Sequence, residues 1–223
     1  MGYLDFSGIL SRSDLFVHGA LLTLILSASA LVLGTMLGMV GAAMRRSRSR
    51  ILSGIAMGYV ELIRNTPFLV QIYIVYFGLP AVGLRISEMA AAVLSLTLYA
   101  GAYLTEIIRA GIDTVGKGQR EAALALGLRP HQVFRHVVLV PALSAIYPAL
   151  TSQFVLIMLA SSVVSAISVP ELTGVANDIQ GQTFRSLEAY LVVAALYLGL
   201  TAVFKTAFGA VDRSLFTFRA AER

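Results

Sequence analysis

Polar residues able to do recognition chemistry are few in this chain, and they fall into three groups. The first lies in residues 118–141, GQREAALALGLRPHQVFRHVVLVP, where Arg120 and Glu121 stand beside Ala122, Ala123 and Leu126. The second surrounds Pro67 and comprises Glu61, Arg64, Asn65, Thr66 and Gln71. The third is Gln153 with Ser161, Ser162, Ser165 and Ser168, set in residues 137–170, which carry no charge. None of the three suits bond-making. His18, His131 and His136 are not at metal-ligand spacing with carboxylates, no Gly-x-Ser-x-Gly elbow occurs, and no close acidic pair sits in an apolar segment. No catalytic residue and no metal site is therefore expected, and binding and coupling are the chemistry left.

The elements that position these groups are membrane helices. The 223 residues are 57% hydrophobic and 13% charged, with a mean hydropathy of +0.81. Soluble domains carry about a quarter charged residues, so lipid must cover what water would not. The absence of cysteine excludes disulfides and thiolate metal sites. Residues 1–14 hold no basic run, so a removable signal peptide is not expected and the first span is retained. About 20 apolar residues cross the hydrocarbon, which places five spans at about 19–44, 57–80, 89–112, 139–165 and 189–211, with a polar loop at 113–137. The whole of 1–223 reads as one all-α integral membrane domain.

Details of the sequence give further expectations. Gly34, Gly38 and Gly41 lie near one helix face and predict close helix packing. Glu61 and Arg64, three apart in the second span, share a face and can pair, while Pro67 removes a backbone donor and kinks that span. The freed backbone beside Thr66 and Gln71 can bind a zwitterion or simply mark a kink stabilised by its neighbours. Gln153, Ser161 and Ser162 offer hydrogen bonds at membrane depth, although serines also bond back to the preceding turn. Ser87 is a candidate N-cap for the third span, and Ser168-Val169-Pro170-Glu171 fits a capping box with Ser168 at the cap. Glu106 and Arg109 predict an ion pair.

In the loop, residues 119–126 form a short helix with one small and one charged face. Gly127 can close it in the left-handed conformation, and Pro130 can open a second helix. Residues 111–118, GIDTVGKG, approach a phosphate-binding loop, but Gly118 replaces the magnesium-binding hydroxyl and a helix precedes the loop where a strand is required, so nucleotide binding is rejected.

Charge sets the expected orientation. Residues 45–50 and 109–135 with the tail from Lys205 hold 13 Lys and Arg against four acids, whereas the segments on the other side hold three Arg and six acids. The basic side faces inward, giving an N-terminus out and a C-terminus in. Nucleic-acid binding is not needed to explain the net charge of +5. The arginines of residues 45–50 form a solvated loop that also touches anionic lipid.

Glu121-Ala122-Ala123, Gly127, then Val137 and Leu139 with a nearby proline resembles the EAA loop of ATP-binding-cassette importer permeases, except that Val140 intervenes before Pro141. Arg64-Asn65-Thr66-Pro67, Leu69-Val70-Gln71 and Tyr76-Phe77-Gly78-Leu79-Pro80 are similar to the signature of polar amino-acid permeases of that class. The resemblance, over residues 19–208, implies the type I importer permease fold in a bacterial inner membrane. It implies coupling helices carrying Glu121, Ala122, Ala123, Gly127 and Leu128, and a substrate path near Thr66, Gln71, Gln153, Ser161 and Ser162. It also implies a cytoplasmic ATPase dimer that binds the ATP and magnesium, a second permease copy or a homologue, and an extracytoplasmic solute-binding protein. Leu159 and Ala160 stand where many amino-acid permeases have Lys and Asp, which disfavours a cationic solute at that position unless Glu61 or a partner subunit supplies the charge. The expected function is import of polar amino acids or derivatives such as opines. A non-amino-acid solute, or an ATP-independent channel or carrier, is the alternative.

Overall fold

The computed structural model describes residues 4–215, and all regular structure among them is helical. The basic tail residues Arg219 and Arg223 lie outside the described residues. In chain order the helices are α1 (Ser7–Leu10), α2 (Ser13–Arg45), α3 (Arg50–Arg64), α4 (Phe68–Tyr73), α5 (Leu79–Ala81), α6 (Glu88–Asp113), α7 (Lys117–Ala125), α8 (Pro130–Gln132), α9 (Leu139–Ala160), α10 (Leu172–Thr183) and α11 (Ser186–Leu215). Wide π-helical turns occupy Ile74–Gly78 and Val133–Val138, and a tighter 3₁₀ segment runs over Ser161–Ile167.

Four stretches are long and apolar enough to cross a membrane: Ser13–Arg45, Glu88–Asp113, Pro130–Ile167 and Ser186–Ser214. A fifth crossing is broken. Arg50–Arg64 and Phe68–Ala81 pass the same test only as a pair, and they are bent by 109°. Neither half reaches across about 30 Å of hydrocarbon at about 1.5 Å per residue. The kink expected at Pro67 is thus a sharp turn.

The largest helix interface joins α2 to α6, and the glycines explain it. A Cβ at Gly34 would stand 2.6 Å from the Ala100 Cβ, one at Gly38 2.8 Å from the Leu104 Cβ, and one at Gly41 would strike the Thr105 hydroxyl. Backbones approach where side chains are absent, and dispersion contacts between them replace the hydrophobic driving force that lipid cannot supply. From this seam a central core extends through Leu26, Leu96 and Leu104 to Ile72 of α4, Ile157 of α9 and Val164 of the 3₁₀ segment. A second core joins α1 and the start of α2 to α10 and α11 through Ile9, Phe16, Ile179 and Val193.

The wide turns have a local cause. A helical proline lacks an N–H and its ring crowds the carbonyl four residues back. For Pro80 that residue is Tyr76 and for Pro141 it is Val137, and each lies inside one of the two π segments. At these two sites the helix widens where the proline would otherwise clash, whereas Pro148 is carried inside the regular α9.

Candidate functional site

The elbow after α7 is built from hydrogen bonds its sequence dictates. The Gly127 N–H donates to Leu124 O at 2.9 Å and the Leu128 N–H to Ala123 O at 3.2 Å, the paired closure of a Schellman turn. Gly127 has φ +82° with open space around a would-be Cβ, so glycine is required by conformation and not by crowding. Ala123 is buried, Leu128 half-buried, and Glu121, Ala122 and Gly127 are exposed together with Leu126, which is 81% exposed. Among the described residues the Glu121 carboxylate makes no hydrogen bond or ion pair, so it does not cap its own helix. Arg120 instead reaches back, donating from Nη2 to Ile112 O at the C-terminal end of α6.

The Pro67 break is satisfied by side chains. Ile63 O has no partner at Pro67, and Gln71 Nε2 supplies it at 2.7 Å, with further contacts to Thr66 O at 3.0 Å and Thr66 Oγ1 at 2.9 Å. Thr66 Oγ1 donates to Leu62 O at 2.8 Å, and Asn65 donates from its backbone N and from Nδ2 to Glu61 O. Every carbonyl the turn releases from residues 61–63 is recaptured. Gln71 is 9% exposed, and its Oε1 has no partner among the described residues. It is a buried acceptor left open beside the break.

Glu61 and Arg64 do not pair. Glu61 Oε2 accepts from Asn65 Nδ2 at 2.7 Å, and the Arg64 guanidinium lies over the Tyr103 ring, 5.4 Å from its centroid. The local bond of Asn65 outcompetes a long-range reach, and a flat cation finds the electron-rich face of an aromatic ring. Tyr103 continues into a stack with Tyr99 and Phe68, at 4.8 and 4.9 Å between centroids. No sequence signal connected Tyr103 with Arg64.

The serines turn back on their own helix. Ser161, Ser162 and Ser165 donate to Met158 O, Leu159 O and Ser162 O at 2.6–2.8 Å, as three-residue spacing in a 3₁₀ turn allows. Their donors are consumed, while their oxygens can still accept. Gln153, 6% exposed, keeps an Nε2 without a partner among the described residues. Because α4 packs on the 3₁₀ segment, Gln71 and Ser161 sit on neighbouring elements, with Gln153 about two turns earlier in α9.

A charged network and a buried polar cluster pin the two ends of the bundle. At the basic end, Glu106 bridges Arg45 at 3.3 Å and Arg109 at 2.8 Å, and Asp113 bridges Arg109 at 3.0 Å and Arg46. The expected Glu106–Arg109 pair therefore belongs to a network tying α2 to α6. At the opposite end Glu171, fully buried, is itself the N-cap of α10, accepting from the Thr173 and Gly174 N–H groups. Its other oxygen accepts from the Tyr197 hydroxyl at 2.7 Å and from Thr23 at 3.3 Å. The capping box expected at Ser168 is not formed. Ser168 instead ends the 3₁₀ segment with φ 66°. Burial pushes the Glu171 carboxyl above the usual carboxylate range, against the opposing pull of these hydrogen bonds.

Comparison with known proteins matches residues 30–217 to the family described as binding-protein-dependent transport system inner membrane component. The glutamine transport system permease protein GlnP of Escherichia coli K12 is 35% identical over 213 residues, covering 95% of this chain and 97% of the relative. The nopaline transport system permease protein NocM of Agrobacterium fabrum C58 is 39% identical over 191 residues, covering 81% and 79%. A crystal structure of an amino acid ABC transporter with histidines superposes with TM-score 0.89 at 36% identity, covering 96% of this chain and all of that one. A chain from an inward-facing structure of the MetNI methionine ABC transporter, at 22% identity and TM-score 0.77, shares the fold. Taken with the broken second crossing and the polar elbow between apolar spans, these matches make the chain a multi-pass inner-membrane permease subunit that belongs to the binding-protein-dependent transport system inner membrane component family.

Proposed function

We propose that this chain imports polar amino acids or close derivatives such as opines, driven by ATP hydrolysis on a separate cytoplasmic ATPase dimer. The observation that carries the reading is the closed elbow at Gly127, which holds an unpaired Glu121 and the small Ala122 outward at the basic end of the bundle. Small residues allow a partner groove to approach closely, and the free carboxylate can accept from a motor arginine. Ala123 and Leu128 face the chain and hold the elbow to the bundle. The basic end faces the cytoplasm, and the end carrying α10 receives solute from an extracytoplasmic binding protein.

A second copy or a homologous permease completes the path. Gln71, Gln153, Ser161 and the break at Thr66–Pro67 line it, with open acceptors and a donor suited to a zwitterion. Leu159 and Ala160 supply no charge, which favours a neutral side chain over a cationic one. The relatives named for glutamine and nopaline agree with amino acids and opines as the solute class. Closure of the motor draws the elbows together, and the spans rock to open the other side.

The test is ATP hydrolysis in liposomes holding this chain with its ATPase and binding-protein partners and a panel of amino acids outside. Stimulation by one solute, lost in Glu121→Lys and Gly127→Leu while both variants still insert, is the expected outcome. Solute flux without ATP, indifferent to both changes, would replace this reading with a channel or carrier. Stimulation by a non-amino-acid solute alone would keep the coupling and reassign the cargo.

A further inference from the structure

A groove of about 570 Å³ runs along the bundle at its basic end, between α2, α6, α9 and the wide turn after α8. Its walls are almost wholly apolar. Thr35 and Met39 of α2, Ile108 of α6, and Leu143 and Phe154 of α9 line it, and Phe134 closes it toward the elbow. It is open to its surroundings, since Met39, Leu143 and Phe134 are each about half exposed. Only its rim is charged, by Arg46 and Arg120.

Length and charge together name the occupant. From Thr35 to Arg46 the groove follows α2 for eleven residues, about 16 Å at 1.5 Å per residue. That is the depth of one leaflet, about half of the 30 Å hydrocarbon. A groove one leaflet deep, dry inside and cationic at its mouth, has the polarity of a phospholipid with an anionic headgroup. The cations are not fully spent on the protein. Arg46 shares Asp113 with Arg109, and Arg120 contacts Ile112 O through Nη2 while its buried Nε has no partner among the described residues. Arg45, Arg46 and Arg109 share only Glu106 and Asp113, and Arg120 has no acid in this network, which leaves a surplus of positive charge at headgroup height.

We infer that this groove binds one anionic phospholipid, its acyl chains between α2 and α9 and its phosphate on Arg120 and Arg46. Arg120 lies in α7 and Phe134 in the wide turn after α8, so the lipid bridges the elbow to the transmembrane helices. The inference does not depend on which solute is carried.

The experiment uses the full chain in detergent, titrated with dioctanoyl phosphatidylglycerol or dioctanoyl phosphatidylcholine and read by native mass spectrometry. The expected result is one saturable phosphatidylglycerol per chain, bound at least about fivefold more tightly than phosphatidylcholine. Arg120→Gln is expected to remove most of that preference. Ala43→Phe, which puts a ring into the groove and leaves the charges in place, is expected to abolish binding of both lipids. Should Ala43→Phe fail to fold, as judged by its thermal midpoint, Leu143→Trp on the facing wall gives the same readout. Equal binding of the two lipids, or a preference untouched by Arg120→Gln, would overturn the inference. So would a groove-filling variant that weakens self-association and leaves lipid retention unchanged, since the groove would then belong to a second copy.

Discussion

Gln71 shows how one side chain can mend a helix break with one group and leave its other group open. Its Nε2 replaces the N–H that Pro67 lacks, and its Oε1 is left open. Gln71→Leu removes the replacement and leaves Ile63 O buried and unpaired, a loss of about 1–3 kcal/mol. In a Pro67→Ala background the backbone N–H returns and can serve Ile63 O itself, so the same change should cost clearly less. A double-mutant cycle on thermal or denaturant stability measures the difference, and strict additivity would refute the substitution of one donor for another. Glu171 gives a second residue-scale expectation, in pH. Its hydrogen-bond partners, Tyr197, Thr23 and the backbone of Thr173 and Gly174, are all neutral, and burial raises its carboxyl above the ordinary value of 4.5. The folded chain then holds the proton more tightly than the unfolded one. Its contribution to stability is fully present below the unfolded value and is lost as pH rises through the raised folded one. Glu171→Gln carries no charge at any pH and should flatten that part of the slope. Parallel pH profiles of the thermal midpoint in the two proteins would exclude the assignment.

At the scale of the helix, the α2–α6 seam separates glycines that matter from those that do not. Gly38→Leu forces a side chain against the Leu104 Cβ and the backbone at Thr105, and should cost about 1–3 kcal/mol or prevent insertion altogether. Gly58, on the exposed side of α3 with nothing within 4 Å of a would-be Cβ, should accept alanine with a gain of up to about 1 kcal/mol. Midpoints of the purified variants decide both, and equal effects at the two sites would mean that the seam does not hold the bundle. This contrast also marks what the sequence could reveal. The glycine stripe, the elbow at Gly127 and the break at Pro67 were legible because each follows from covalent geometry within a few residues. The N-cap of α10 was not. Ser168 and Glu171 are both plausible caps locally, and Thr23 and Tyr197, each more than twenty residues away, decide for Glu171. Likewise the spacing of Glu61 and Arg64 permits a pair, but Asn65 next door and Tyr103 on another helix take the two charges separately. The size of the bend at Pro67 was also hidden, since proline dictates a break without dictating its angle.

For the whole molecule the open geometric question is how the bent pair sits, and the charge pattern answers it. If Arg50–Arg64 and Phe68–Ala81 together cross the membrane, the loops at residues 46–49 and 114–129 lie on one side. If the pair instead dips in and returns, those loops lie on opposite sides, and the elbow would share a face with Ser11. The arginines of residues 45–50 and the cations of residues 109–135 form the two most basic segments of the chain, and splitting them across the bilayer would oppose the inward preference of both. The network of Arg45 and Arg46 with Glu106, Arg109 and Asp113 already joins the ends that lead into these loops. The crossing geometry is therefore expected, with Arg48 and Lys117 inside and Ser11 and Leu84 outside. The chain contains no cysteine, so single cysteines at these four exposed positions can be read with a membrane-impermeant maleimide without first altering the protein. Ser11→Cys and Leu84→Cys should label in intact cells, and Arg48→Cys and Lys117→Cys only after permeabilisation. Labelling of Arg48→Cys together with Leu84→Cys from the same face would instead make the bent pair a re-entrant segment. It would also remove the elbow from the side where an ATPase could reach it.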